Sequence, residues 1–177
     1  MAERAHIAER ATRAYIGIGA NLGRPAAQVR AAIAELGKWG PLRASSLWRS
    51  EPLGGEPGQP WYVNAVVELV LDGDPFACLA RLRALERAAG RPDSRARFAP
   101  RALDLDLLLF GRAVVATPEL TLPHPGFRQR RFVLAPLAEL VPALVPPGET
   151  RSVAELLRDL DDPLRVENLG RGTEDTP

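Results

Sequence analysis

The sequence predicts an α+β fold of the ferredoxin-like βαββαβ type, an antiparallel sheet with helices on one face, followed by a C-terminal helical extension. Three observations lead to this prediction: a short apolar run ending in glycines, two stretches whose apolar residues recur at helical spacing, and three further stretches with strand composition. The six predicted elements occupy, in chain order, 13–19, 26–36, 43–50, 61–71, 76–89 and 103–110.

The first half of this order begins with the apolar run 13–19, which is typical of a buried strand. Pro25 suits the first turn of a helix, and the apolar residues from Val29 to Leu36 then recur at helical spacing. The next segment, 43–50, has the composition of a strand.

The second half follows a loop rich in proline and glycine, 51–60, and opens with a strand over 61–71. A turn over 72–75 precedes a helix that has apolar residues on one face and closes on Gly90. A loop rich in arginine then leads into the last strand of the unit, 103–110.

The C-terminal part predicts two further helices, near 131–140 and 152–160, after an irregular proline-rich stretch. We expect a single domain over 13–164, a flexible N-terminal extension over 1–12 and a loose, polar C-terminal tail over 165–177.

The composition favours a small cytoplasmic protein. The chain of 177 residues has the length of one domain, and no stretch approaches the roughly 20 apolar residues that span a membrane. The N-terminal residues have no apolar core of the kind found in signal peptides, and Cys78 is the only cysteine, so no internal disulfide forms. We expect a monomer that binds small molecules and neither nucleic acid nor membrane.

The basic residues exclude one common phosphate-binding motif. Lys38 is the only lysine among 23 basic residues, and it is followed by Trp39 where a Walker phosphate loop requires serine or threonine. If phosphates are bound, arginines must hold them, and the guanidinium fork suits phosphate oxygens.

The strongest local signal is a pair of aspartates in the last predicted strand. Asp104 and Asp106 share one face because side chains alternate along a strand, and their Cα atoms would be about 7 Å apart. Such a pair can bind divalent cations, and Mg²⁺ takes one or two carboxylates while water and phosphates complete its shell. The absence of a nearby histidine or cysteine argues against zinc. The alternative is an amphipathic strand that exposes two aspartates to solvent.

Other candidates are ambiguous on the residues alone. A basic loop with Arg91, Arg95 and Arg97 leads to Arg101. Of these arginines, Arg101 is the strongest candidate for phosphate contact, because it lies only three residues before Asp104. The rest of the loop is equally compatible with a solvated segment. Tyr62 and Asn64 share a strand face and could hold a flat heterocycle, or be a rim aromatic and a turn cap. His124 lies between two prolines, which suits a positioned phosphate donor, although most loop histidines have no such role.

Taken together, these segments resemble the 6-hydroxymethyl-7,8-dihydropterin pyrophosphokinases of folate biosynthesis. The segments that carry the resemblance are AYIGIGANLG at 14–23, SSLWRSEPLG at 45–54, YVN at 62–64, PRALDLD at 100–106 and LPHP at 122–125. The resemblance covers 14–145 and implies transfer of diphosphate from MgATP to the hydroxymethyl group of the pterin, with release of AMP.

The resemblance also implies roles for matching residues. Two Mg²⁺ ions would be bound by Asp104 and Asp106, which together with Arg101 and Arg91 would form the catalytic group. The expected ATP-binding residues are Glu86, Arg91, Arg101, Thr121, His124 and Arg130. The expected pterin-binding residues are Ser50, Leu53, Tyr62, Asn64 and Phe132.

Some residues depart from the family pattern. Asp93 stands where many members have a second arginine, for which Arg95 or Arg97 could substitute, and Phe98 stands where tryptophan is frequent. These departures leave open a divergent paralogue that binds a related pterin with altered or no turnover. An RNA-recognition module is disfavoured because no segment matches its aromatic-rich strand.

Overall fold

The computed structural model describes residues 11–54, 57–90 and 100–171. The elements are β1 (Thr12–Ala20), α1 (Pro25–Gly37), β2 (Leu42–Ala44), β3 (Leu47–Ser50), β4 (Tyr62–Leu71), α2 (Pro75–Ala88), β5 (Asp104–Phe110), β6 (Val115–Ala116), β7 (Thr121–Leu122), a 3-10 turn (Phe127–Gln129), α3 (Arg131–Leu140), α4 (Val153–Arg158) and β8 (Val166–Gly170). Within these ranges no helix combines the length and the apolar composition needed to cross a membrane.

The main sheet is antiparallel and has the strand order β5-β1-β4-β3-β8, with β2 also paired to β4. The strand predicted over 43–50 is two strands, because a one-residue bulge separates the pair Ala44–Val67 from the pair Trp48–Asn64. At the bulge, the Ser45 hydroxyl accepts a hydrogen bond from the Val66 backbone N–H.

One face of the sheet is covered by α1 and α2. Alternate strand residues such as Ile16, Val67 and Leu105 point to this face and pack with Val29 of α1 and Leu82 of α2 in one buried cluster. The predicted apolar faces of the first two helices therefore pack on the core, with one exception: Phe76, in the first turn of α2 and predicted on its apolar face, is 39% exposed.

The opposite face is covered in part by the C-terminal helices. Leu134 of α3 and Val153 of α4 pack on Tyr15 and Val66 of the sheet. The predicted arrangement, with helices on one face, therefore holds for α1 and α2, while the C-terminal helices cover part of the other face. The remainder of this face is open, and it is there that the polar residues of β4 and β5 lie.

A bulge in β5 determines how that strand divides its residues between the faces. Tyr15 pairs with Leu109 and Ile16 with Leu107, which leaves Leu108 as the extra residue. Leu108 and Leu109 consequently both join the cluster under α3 and α4. The same strand supplies an acidic pair at one end and an apolar pair at the other.

The C-terminal residues correct one prediction. The tail predicted to be loose from residue 165 contains β8, which pairs antiparallel with β3 and matches Ser50 with Val166. Its polar sequence gives little indication of a strand, because an edge strand draws its hydrogen bonds from its neighbour and its charges remain in solvent. Residues 1–10 and 172–177, which include most of the predicted N-terminal extension, lie outside the described residues.

Candidate active site

A cavity of about 280 Å³ opens on the second face of the sheet. Its walls come from β1, β4, β5, the loop after β3 and the segment from His124 to Val133. Most of the residues predicted for the site line it, namely Ser50, Leu53, Tyr62, Asn64, Arg101, Asp104, Asp106, His124, Arg130 and Phe132. Residues distant in the chain meet here because β1 lies between β4 and β5 in the sheet.

The glycines of β1 make the floor of the cavity. Gly19 pairs with Asn64 on one side and with Asp104 on the other, so it lies between an amide and a carboxylate. A Cβ atom at Gly19 would lie 3.3 Å from Oδ1 of Asn64 and 3.7 Å from Cδ1 of Tyr62. The missing side chain at Gly19 therefore leaves space for the side chains of Asn64 and Tyr62 on the neighbouring strand β4.

Asp104 and Asp106 both face the cavity, as expected for residues two apart in a strand. Nη1 of Arg101 donates a hydrogen bond of 2.8 Å to Oδ1 of Asp104. Enclosure by the cavity walls, and secondly the charge of Asp104, raises the pKa of Asp106 above its usual value. The pair is therefore an arrangement of like charges that a cation would stabilise.

His124 is held over β5 by its backbone. Its N–H donates to the Leu108 carbonyl at 2.9 Å, and its ring Nδ1 accepts from the Gly126 N–H at 3.1 Å. This hydrogen bond assigns the proton of the neutral ring to Nε2, which lies 3.9 Å from Oδ1 of Asp106. Burial lowers the pKa of His124 below its ordinary value, although the charge of Asp106 acts in the opposite direction. Near neutral pH the ring is accordingly a neutral donor that faces the carboxylates.

Arg130 and Arg131 diverge at the start of α3. Arg130 lines the cavity, with its guanidinium carbon 5.9 Å from the centre of the Phe132 ring. The side chain of Arg131 faces away from the cavity, because its Nη2 donates to the Leu160 carbonyl at 2.8 Å. The backbone N–H of Arg131 donates to Asp162. Only one of the two adjacent arginines is thus available to a ligand in the cavity.

The wall formed by β3 and β4 combines an amide with an aromatic ring. Nδ2 of Asn64 donates to the Ser50 hydroxyl at 2.9 Å, and both residues are buried. Burial raises the pKa of the half-buried Tyr62. Tyr62 and Phe132 line the same cavity as Asn64. The cavity therefore has two aromatic side chains and one amide, which is held by Ser50.

Three predicted residues are not among those that line the cavity. Glu86 is buried in α2, where its Oε1 accepts a 2.8 Å hydrogen bond from the Leu105 backbone N–H and ties this helix to β5. Thr121 is exposed and pairs with Ala116 in the small β6–β7 sheet. Arg91 lies outside the described residues, as do Asp93, Arg95, Arg97 and Phe98.

Asn21 belongs to the site but was not predicted as a site residue. Its Oδ1 accepts from the Arg101 N–H at 2.8 Å, and its Nδ2 donates to the Pro60 carbonyl at 3.2 Å. Asn21 is 1% exposed, so a single buried amide joins Pro60, directly before β4, to Arg101, a residue that lines the cavity. The available signal was a polar residue directly after a buried strand, within a segment that resembles the family.

The fold and the cavity define a protein of helices and antiparallel sheet whose site combines paired carboxylates with arginines. Such a site is suited to phosphate groups and a divalent cation. Residues 15–142 match the model of the 7,8-dihydro-6-hydroxymethylpterin-pyrophosphokinase family. The chain belongs to this family of transferases, which confirms the resemblance inferred from its motifs.

Similar proteins carry the corresponding enzyme name. The 2-amino-4-hydroxy-6-hydroxymethyldihydropteridine pyrophosphokinase of Methylorubrum extorquens is 40% identical over 153 residues, which covers 85% of this chain and 94% of that protein. The protein of the same name from Haemophilus influenzae is 38% identical over 152 residues, covering 84% of this chain and 93% of its own length.

A solved structure agrees with the fold. The crystal structure of Plasmodium falciparum HPPK-DHPS wild type with pteroate superposes with a TM-score of 0.67 at 12% identity. The match covers 89% of this chain, and this chain spans 43% of the Plasmodium chain. At this identity the likeness shows a shared architecture of sheet and helices.

Proposed function

We propose that the cavity is where this chain carries out the reaction of its family, transfer of the diphosphate of MgATP to 6-hydroxymethyl-7,8-dihydropterin in folate biosynthesis. The single observation that carries the proposal is the meeting of Asp104 and Asp106 with Arg101, Arg130 and His124 in one cavity. The hydroxymethyl oxygen attacks the β-phosphorus, the bond from that phosphorus to the bridging oxygen of AMP breaks, and the hydroxyl proton is released.

The carboxylate pair fits Mg²⁺. In the described part of the chain no group of three or more histidine, cysteine, aspartate or glutamate side chains gathers as a metal site, so an ion bound at Asp104 and Asp106 would take most of its ligands from elsewhere. Two carboxylates suffice for Mg²⁺ because phosphates and water complete its octahedral shell. Asp104 and Asp106 would hold two such ions. When bound, these ions neutralise phosphate charge and lower the pKa of the attacking alcohol.

Arg101, Arg130 and His124 form the phosphate-binding side. Guanidinium groups donate bidentate hydrogen bonds to phosphate oxygens, and they compensate the charge that develops during transfer. The neutral His124 ring contributes an N–H donor from Nε2 on the same side as the carboxylates. Arg91, Glu86 and Thr121 retain their proposed contacts with ATP on the strength of the family pattern alone.

Tyr62, Asn64 and Phe132 form the pterin-binding side. Aromatic surfaces stack on a flat ring, and each such contact contributes about 0.5–1.5 kcal/mol beyond the area that it buries. The Asn64 amide reads the hydrogen-bonding edge of the ring, and the Ser50 hydroxyl holds that amide in place. The backbone around Leu53 closes this side of the cavity.

Catalysis then depends on orientation and charge rather than on a strong base. The cavity holds the hydroxyl in line with the β-phosphorus, and a positioned pair of reactants reacts faster because less entropy is lost on the way to the transition state. The carboxylates act as positioning groups as much as proton acceptors.

The wider organisation of the protein is also a proposal. The order β5-β1-β4-β3 supports a ferredoxin-like βαββαβ unit within a domain over 13–164, completed by the C-terminal helices. The single cysteine, Cys78, is buried, which agrees with action in the cytoplasm. We propose a monomer that acts on small-molecule substrates.

Incubation with MgATP and 6-hydroxymethyl-7,8-dihydropterin tests the function. We expect AMP and the pterin diphosphate to form in equal amounts, without ADP. Pterin binding without AMP would identify a divergent paralogue instead. The Asp104→Asn/Asp106→Asn double variant is the matched control, and normal turnover by this variant would refute the proposed site.

A further inference from the structure

Gly126 stands at a position where the backbone does not require glycine. It precedes the 3-10 turn Phe127–Gln129 and has φ −94° and ψ −1°, a conformation with negative φ that residues with side chains also adopt in turns. It is nevertheless buried, and it contacts His124 and Arg130, two residues that line the cavity. The reason for glycine must therefore lie in the space around it.

That space is filled by the side chain of Arg130. A Cβ atom at Gly126 would lie 2.7 Å from Cζ and from Nε of Arg130, and 3.0 Å from Nη2. These distances are far shorter than a van der Waals contact of about 3.5–4.0 Å. The guanidinium thus occupies the volume that any side chain at position 126 would take.

Gly126 also contacts His124, which is proposed to bind phosphate together with Arg130. Its N–H donates to Nδ1 of His124 at 3.1 Å, which directs Nε2 toward Asp106. One residue therefore determines the placement of both His124 and Arg130, the former through its backbone and the latter through its missing side chain.

We infer that Gly126 is a positioning residue for nucleotide phosphates: it provides the space that brings the Arg130 guanidinium into the cavity beside His124. This inference rests on the proposed function of the cavity. A side chain at position 126 displaces Arg130 without breaking the fold, because the atoms that it meets are the end of a flexible side chain. Alanine keeps the N–H, so Gly126→Ala isolates the displacement of Arg130 from the placement of His124.

The test measures binding of a non-hydrolysable MgATP analogue by calorimetry, together with the KM of each substrate. For Gly126→Ala we expect affinity for the analogue to fall about tenfold, as for loss of one charge-assisted hydrogen bond, while pterin affinity and Tm stay unchanged. The matched control is Gly37→Ala at the exposed end of α1, where a Cβ atom meets nothing within 4 Å. This control should bind the analogue as the parent protein does.

A double-variant cycle ties the effect to Arg130. In an Arg130→Ala background, Gly126→Ala should cause no further loss of analogue affinity, since the displaced group is already absent. If Gly126→Ala lowers Tm, removal of the Arg130 side chain should restore it to the value of Arg130→Ala alone. Unchanged analogue affinity in Gly126→Ala, or an equal loss in both backgrounds, would overturn the inference. A parent protein that forms no AMP would instead refute the proposed function.

Discussion

Nη1 of Arg101 lies 2.8 Å from Oδ1 of Asp104, and the backbone N–H of the same arginine donates to the buried amide of Asn21. Arg101 is thus held at both ends, its guanidinium by Asp104 and its backbone by Asn21, the residue directly after β1. Its side chain is 24% exposed, so it faces the cavity from a constrained position. A constrained cation beside paired carboxylates can contact phosphate without a large loss of side-chain entropy.

Arg101→Ala should lower kcat by roughly 100-fold, because a preorganised donor that stabilises transition-state charge is lost. Single-turnover measurement of AMP formation checks this prediction. Arg112→Ala is the control, since Arg112 is exposed and is not among the residues that line the cavity. A variant with reduced Tm but unchanged kcat would assign Arg101 a structural role only.

Asp106→Asn should abolish turnover and yet raise the Tm of the protein in EDTA at pH 7. The pKa of Asp106 is raised in the folded protein, so folding favours its protonated form. Its stabilising contribution is present below the unfolded value of about 3.8 and is lost as the pH rises through the folded pKa.

Thermal unfolding of parent and variant from pH 4 to pH 8 checks this sign. The advantage of the asparagine variant should grow with pH over the range in which Asp106 ionises. An equal difference in Tm at all pH values would show that the carboxylate is not strained by its surroundings.

Asn64→Ala should weaken pterin binding by about tenfold to 100-fold and leave binding of the ATP analogue unchanged, because one hydrogen-bonding edge is lost. Ser50→Ala should lower the free energy of unfolding by about 1 kcal/mol and weaken pterin binding less, since the amide loses its partner but remains present. Calorimetric titration with each ligand separates the two effects. Equal losses for both ligands would contradict a specific role in pterin binding.

Removal of 165–177 should destabilise the protein and weaken pterin binding more than ATP binding. β8 pairs with β3. Directly before β8, the Arg165 carbonyl accepts a hydrogen bond of 3.1 Å from the Glu51 backbone N–H, and the Arg165 backbone N–H donates one of 2.9 Å to Oε2 of Glu51. Loss of the strand pairing should lower the free energy of unfolding by about 2 kcal/mol, given the contribution of each hydrogen bond.

The control for this truncation is a chain that ends at Arg171 and so retains β8. Chemical denaturation and pterin titration should give parent values for the control. If the shorter chain binds pterin as well as the control does, β8 has no part in holding the loop that begins at Glu51.

Local pattern predicted the parts of the site that lie within one element. The alternation of a strand places Asp104 and Asp106 on one face whatever packs against it, and the same holds for Tyr62 and Asn64. The helical spacing in α1 likewise predicted the face that is buried. That the acidic pair binds a divalent cation is an expectation from residue type and spacing, and it stays a prediction.

Relations between elements were outside the reach of such patterns. Adjacent Arg130 and Arg131 have the same side chain. The guanidinium of Arg131 is directed away from the cavity by its hydrogen bond to the Leu160 carbonyl, and its backbone N–H donates to Asp162. β8 could not be predicted from its polar residues, because its hydrogen bonds come from β3. The two strands are far apart in the chain: the paired residues Arg49 and Glu167 are separated by 118 positions.

The amino-acid sequence was thus sufficient to predict the strand face on which each polar side chain lies, because this depends only on backbone geometry within a few residues. Packing between distant segments was needed to establish which faces of the elements meet and which of the two adjacent arginines enters the cavity. The physical reason is that space and hydrogen-bond partners around a side chain are supplied by residues far from it in the chain.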